Sequence, residues 1–203
     1  MLAKIRGQEA WEKAQAVKHS PLGDRASLSE KVGRAIWLID SHITKLNNFY
    51  NKLAIKDRVL FDKVVDACIK HDEARAKMYA AELAEVRRVC KALLWAKISL
   101  EQISIRLKTV KNMGDVVASI APAIGIVRRL GRDVSKVLPE ASKGLMEIND
   151  ALASLAIDIG VKAVDVEAAD EDALRILEQA SALAEQKINE SFQKPPSPRE
   201  EKR

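Results

Sequence analysis

Seven cations recur along residues 31–70 at spacings that keep them on one side of a helix: Lys31, Arg34, Lys45, Lys52, Lys56, Lys63 and Lys70. At about 100° per residue they fill a sector of about 60°, and of the basic residues in this stretch only Arg58 falls outside it. Ammonium and guanidinium groups in a row break no bonds. They offer attraction to something extended and negative, a lipid surface or a nucleic-acid backbone.

Residues suited to bond-making chemistry are sparse. His19, His42 and His71 lie far apart and share no ligand spacing with Cys68 or Cys90, so no zinc site is expected. Two cysteines make no disulfide framework, and the simplest reading is a reduced intracellular protein in which both pack as small apolar side chains. Gly125 and Gly131 flank Arg128 and Arg129 but lack the strand-loop-helix context of a phosphate loop. Trp11, Trp37 and Trp95 stand singly, as packing anchors do. No nucleophile elbow is present, and paired carboxylates have no pocket to share. The reading is of a protein that is not an enzyme and uses no cofactor.

Long helix must carry the cations. From Arg34 to Met113 the chain runs 80 residues without Gly or Pro, where average usage would place about ten. A heptad seam runs through Val32, Ile36, Ile39, Ile43, Leu46, Tyr50, Leu53, Asp57, Leu60, Val64 and Ala67, and Asp57 is its one polar member. A second, all apolar, runs through Val86, Val89, Leu93, Ala96, Leu100, Ile103, Leu107 and Val110. The two are one residue out of phase, so a single rod would swing its apolar face by about 100°. A break near Lys70-His71-Asp72, with Asp72 capping a new helix, removes the conflict. The fold class predicted is all-α and elongated: a long antiparallel hairpin, its arms about 60 Å each, followed by shorter helices.

Around the hairpin the chain divides by texture and charge. Residues 1–26 are a mixed segment in which Leu2, Ile5, Trp11 and Val17 scatter around the helical wheel, and His19–Gly23 reads as a loop. Ser27 with Glu30 forms a capping box that opens the basic hairpin and following short helix, residues 27–136. Gly114, Pro122, Gly125, Gly131 and Pro139 punctuate a short helix or two able to bend, straighten or dock. Pro139 opens a fourth helix within residues 137–160. Residues 161–170 read as an acidic linker. A C-terminal amphipathic helix over 171–192 turns Leu174, Leu177, Ala180, Ala184, Ile188 and Phe192 to one side. Residues 193–203, with three prolines, are expected to be disordered. Residues 1–136 hold 26 Lys and Arg against 15 Asp and Glu, a formal +11; the remainder holds 8 against 14, or −6. A basic body thus precedes an acidic arm. No secretory signal follows Lys4 and Arg6, and the longest uncharged run, Val116–Val127, is too short to cross a bilayer.

Short segments in a fixed order carry a resemblance. They are Phe61–Ala67, His71–Ala80, Glu82–Arg88, Leu100–Leu107, Gly114–Val117, Ala121–Gly125, Pro139–Ala141 and Glu147–Asn149, then Ile176–Ala180 with Ala184–Gln186. In these the chain resembles the archaeal CdvB branch of the ESCRT-III family, in a shorter form that ends before a winged-helix domain. The resemblance implies a helical hairpin with shorter helices after it, and subunits that polymerise with themselves and with paralogues on membranes. It implies filaments that constrict or cut membrane necks in archaeal cell division or vesicle release, remodelled by an AAA ATPase of the CdvC type. It further implies a closed state with the acidic arm folded onto the basic hairpin. The family's proline-spaced ATPase motif would fall on Pro195, Pro196 and Pro198, flanked here by Ser and charges. Its helical form fits Glu171, Leu174 and Leu177 without the basic residue expected beside the leucines.

On this reading the seven cations bind anionic headgroups from the inner face of the plasma membrane at the division site. The stretch 114–139 is a hinge, and the last helix docks on the hairpin. Two readings compete: a basic coiled-coil scaffold, and a non-specific nucleic-acid binder. Against the latter, no base-reading helix or aromatic platform is present, so no specific nucleic acid is expected.

Overall fold

The computed structural model describes residues 28–110, 113–161 and 170–192. Ser27, the mixed N-terminal segment, most of the acidic linker and the proline-bearing tail lie outside the described residues. Met1–Lys31 and Val32–Arg203 form two units. Of the first, only the opening turn of a helix is described; the rest of that helix and the four after it belong to the second. All the described secondary structure is helical: α1 (Leu28–Ile69), α2 (Glu73–Lys108), α3 (Met113–Ser135), α4 (Pro139–Asp158) and α5 (Asp170–Ser191).

Helices α1 and α2 are the two arms of the hairpin. The 3-4 spacing of the first seam becomes a buried row on α1: Ile39, Leu46, Leu60, Val64 and Ala67. Leu83, Val86, Cys90, Leu93, Ala96, Leu100, Ile103 and Leu107 form the facing row on α2. Each fully buried Leu or Ile contributes about 1.5–3 kcal/mol of transfer free energy, so apolar burial dominates the pairing. Apolar rows alone tolerate sliding by a turn. Polar pairs across the seam fix the register. Asp40 accepts from Ser104 at 2.7 Å and Lys108 at 2.8 Å, Asn47 accepts from Lys97 at 2.8 Å, and Asp57 accepts from Arg87 at 2.6 and 3.2 Å. Steps of 7 and 10 residues along α1 are matched by equal steps backward along α2, which defines an antiparallel pair in constant register.

The tip turns without glycine. His71 takes φ +55°, the left-handed conformation usually left to Gly. The amide of His71 donates to the carbonyl of Cys68 at 3.1 Å, and that of Asp72 to Ala67 at 3.0 Å, a Schellman closure of α1. Asp72 then caps α2, its carboxylate accepting from the amide of Arg75 at 3.1 Å. One residue ends one helix and opens the next, and that is why the break falls where the two seams change phase.

Pro122, Gly125 and Gly131 punctuate one helix rather than two. They lie inside α3, one continuous helix of 23 residues. An interior proline costs about 3 kcal/mol. The offset is burial on more than one side: Ile120, Ala121, Ala123, Ile124, Ile126, Val127, Leu130 and Val134 are all buried. Helix α3 packs against α2, α4 and α5. Pro139 occupies the first turn of α4, and α4 ends in a second Schellman closure in which Gly160 takes φ +74°. Helix α4 meets α1 at one close approach, where Gly144 lies over the buried His42 ring; a Cβ there would sit 2.2 Å from Nδ1.

Candidate functional site

The row of cations on α1 divides into two halves that the helical wheel treats as one. Toward the tip its members are engaged within the chain. Lys56 pairs with Glu82 of α2 at 2.9 Å, Lys63 lies 5.5 Å from the ring centre of Tyr79, and Lys70 pairs with Asp66 at 2.6 Å. The hydrogen bond from Lys56, with help from the charges of Lys56 and Lys63, holds the Glu82 carboxyl below its ordinary range. Toward the other end Arg34, Lys45 and Lys52 are exposed and make no ion pair among the described residues. Lys31, on the first turn of α1, makes an interaction of its own.

Helix α5 lies on α2. Ala180 and Ala184, both fully buried, let it approach closely enough to cover Leu94 and Ile98. The indole N–H of Trp95 donates to the carbonyl of Leu177 at 3.1 Å, and Lys91 pairs with Glu185. At the far end Phe192 meets Tyr50 edge-on with ring centres 6.5 Å apart, and the Arg87 guanidinium lies 5.4 Å from the centre of its ring. The buried row on α5 is Ala173, Ile176, Leu177, Ala180 and Ala184. It is rotated slightly from the predicted one, and Leu174 is exposed at 41%.

Titration follows the packing. Burial acts to raise the Asp40 carboxyl, but hydrogen bonds from Lys108 and Ser104 outweigh it and hold the group below its ordinary value. Burial, reinforced by Lys45, lowers His42, while the Ala141 carbonyl and Glu147 oppose the shift only in part. Among the described residues neither ring nitrogen of His42 makes a hydrogen bond of good geometry. Burial and the charge of Asp57 push the Cys90 thiol up to about 11, the behaviour of an inert packing residue.

Over 91% of its length the chain is 36% identical to Cell division protein B1 of Sulfolobus acidocaldarius, covering 87% of that protein. It is 28% identical over 93% of its length to Cell division protein B of the same organism, covering 73% of it. The chain belongs to the archaeal CdvB branch of the ESCRT-III family. No family model and no solved structure matches it.

In this CdvB-type chain the remaining sequence-predicted residues scatter. Gly114 lies in the first turn of α3, with Pro122, Gly125 and Gly131 further along it, and Pro139 opens α4. Of the residues assigned to ATPase contact, Leu174 is exposed and Leu177 is buried against the hairpin. Pro195, Pro196 and Pro198 lie outside the described residues. Sequence reasoning missed Arg87 and Gly144; of the two packing anchors it read within the described residues, Trp95 packs under α5 but Trp37 is 66% exposed. The signal for Arg87 was Asp57, a carboxylate in an apolar seam that demands a cation across from it.

Proposed function

We propose that this protein is a non-enzymatic filament subunit of the archaeal cell-division machinery. It polymerises, with itself and with paralogous CdvB-type chains, on the anionic inner face of the plasma membrane to constrict or sever it. The observation that carries this reading is the set of exposed, unpaired cations Arg34, Lys45 and Lys52 on a family hairpin whose arm covers only other faces. Each cation near an anionic lipid surface is worth about 1 kcal/mol, so one subunit binds reversibly while a polymer holds through many. Lys31, Lys56, Lys63 and Lys70 extend the same row, the last three after exchanging their partners within the chain for headgroups. The docked α5 is the closed state of the subunit, and its release exposes Leu94 and Ile98 for polymer contacts. Helix α3, with Gly114, Pro122, Gly125, Gly131 and the following Pro139, is the joint that straightens. An AAA ATPase of the CdvC type pulls on the segment carrying Leu174, Leu177 and the three prolines.

Electron microscopy with phosphatidylglycerol vesicles, neutral vesicles and duplex DNA tests the reading on the full chain and on a chain ended after Gly160. Coats or spirals on anionic vesicles alone, more abundant without the arm, are expected. Lys45→Glu with Lys52→Glu abolishes them; coats that persist undiminished refute the basic face. Coated DNA beside bare vesicles favours the nucleic-acid reading instead.

A further inference from the structure

Between Lys31 and Asp62, helix α1 carries only two carboxylates, Asp40 and Asp57. Both turn to α2, where Ser104 with Lys108 and Arg87 hold them. The outward side of this stretch carries Arg34, Lys45, Lys52, Lys56 and Arg58, uncharged side chains such as Thr44, Asn48 and Asn51, and three large apolar side chains. Trp37 is 66% exposed, Ile55 67% and Val59 49%. Spacing interleaves the two kinds of residue: Trp37 follows Arg34 by three positions, Ile55 follows Lys52 by three, and Val59 follows Ile55 by four. Positions three and four apart are neighbours on a helix surface, so Trp37 and Ile55 each lie beside an unpaired cation and Val59 lies beside Ile55. The α4 side contributes Glu147 to a recess shared by Trp37 and Lys45, and Asp62 and Asp66 close the face toward the tip.

Exposed indole and branched aliphatic groups beside unpaired cations fit one kind of occupant, a surface that is anionic at the headgroups and apolar just beneath. Tryptophan prefers that boundary, and amphipathic helices lie in it with cations flanking the apolar side chains. We propose that Trp37, Ile55 and Val59 insert into the headgroup–acyl boundary of an anionic membrane, so that α1 is held by shallow insertion as well as by charge. The inference rests on the membrane reading of the same face and deepens it. The face is free while α5 is docked, because the arm's contacts are with α2, α3 and the seam side of α1 at Tyr50. The closed subunit therefore already inserts, before any polymer forms.

The test uses the full chain with phosphatidylglycerol–phosphatidylcholine vesicles carrying bromines at the top of the acyl chains, and with neutral vesicles. Tryptophan quenching in the native chain is compared with that in Trp37→Phe, the difference isolating Trp37 because Trp11 and Trp95 remain in both. Expected are salt-sensitive binding, quenching that Trp37→Phe removes, and binding weakened about tenfold or more by Trp37→Ser with Ile55→Ser and Val59→Ser, at an unchanged melting temperature. Binding to the anionic vesicles with no Trp37-specific quenching and no effect of the serine variant overturns insertion and leaves the charge-only membrane reading standing. No binding to either vesicle overturns both. A Trp37 signal that changes with protein concentration without lipid makes the face a contact between copies, and insertion is again overturned.

Discussion

Enlarging Ala180 and Ala184 to leucine should lift α5 off the hairpin while leaving the hairpin intact. Both alanines are at 0% exposure, packed on Leu94 and Ile98. Each substitution adds three carbons where no space exists, and overpacking of this kind costs about 1–3 kcal/mol per site. The sites are four residues apart on one helix face and share partners, so their effects fall short of additive. A single substitution therefore raises the population of the undocked arm between about 5-fold and about 150-fold. Undocked, α5 is an isolated helix of 22 residues, which in water is marginally stable. Its amides should lose protection from hydrogen exchange by the same factor. Exchange measured by mass spectrometry over peptides from 171–192 reads that factor directly, with peptides from α1 and α2 as internal controls. Loss of protection in α5 alone supports a latch that opens independently. Equal loss in α1 and α2 would show that the arm is part of one cooperative core, and unchanged protection in α5 would show that Ala180 and Ala184 do not carry the docking. Either result refutes the latch.

Three further outcomes are expected from the packing. Asp57→Leu should cost about 3 kcal/mol in chemical denaturation by leaving the Arg87 charge unpaired, and Asp57→Leu with Arg87→Met should recover most of it. Gly144→Ala should weaken the contact of α4 with α1 by about 1–3 kcal/mol, because the new Cβ meets the His42 ring at 2.2 Å, and His42→Ala should relieve it in the double variant. Because burial lowers His42 in the folded chain, the unfolded chain takes up a proton first as pH falls. The stability that neutral His42 contributes is complete above about pH 6.5 and is lost below it toward the folded value. Denaturant melts between pH 7.5 and pH 5 should show this slope, and His42→Leu should flatten it. The contribution of Asp40, also lowered in the folded state, is lost only in more acidic solution.

What the sequence made legible was set by how local each signal is. The two seams, their change of phase and the Asp72 cap are contained in short windows, and they locate the hairpin and its turn. The use of His71 in a left-handed position has no such signature, because glycine is the residue that announces it and the surrounding closure forces another to comply. In α3 the local signals were ambiguous. Pro122 and two glycines left one short helix or two open, and what decides for one is burial against three other helices, which no window on the chain contains. The cations show the same limit. A helical wheel places all seven in one sector, yet Lys56 is engaged and Lys45 is not, because Glu82 lies on the other arm and its position depends on the register.

Arg87 joins that register to the state of the arm. Its planar fork bonds both oxygens of Asp57, while the guanidinium lies near the ring of Phe192 at the end of α5. A bidentate bond fixes the orientation of the guanidinium beside the ring; an ammonium in its place would keep the charge and lose that constraint. The contact that holds the two arms in register is thus also a contact that receives the end of the acidic arm. Sliding of α1 against α2 would part Tyr50 from Arg87, the two side chains that Phe192 meets, and release of α5 would expose Arg87 to water. In this chain the register of the hairpin and the docking of α5 therefore meet at one side chain.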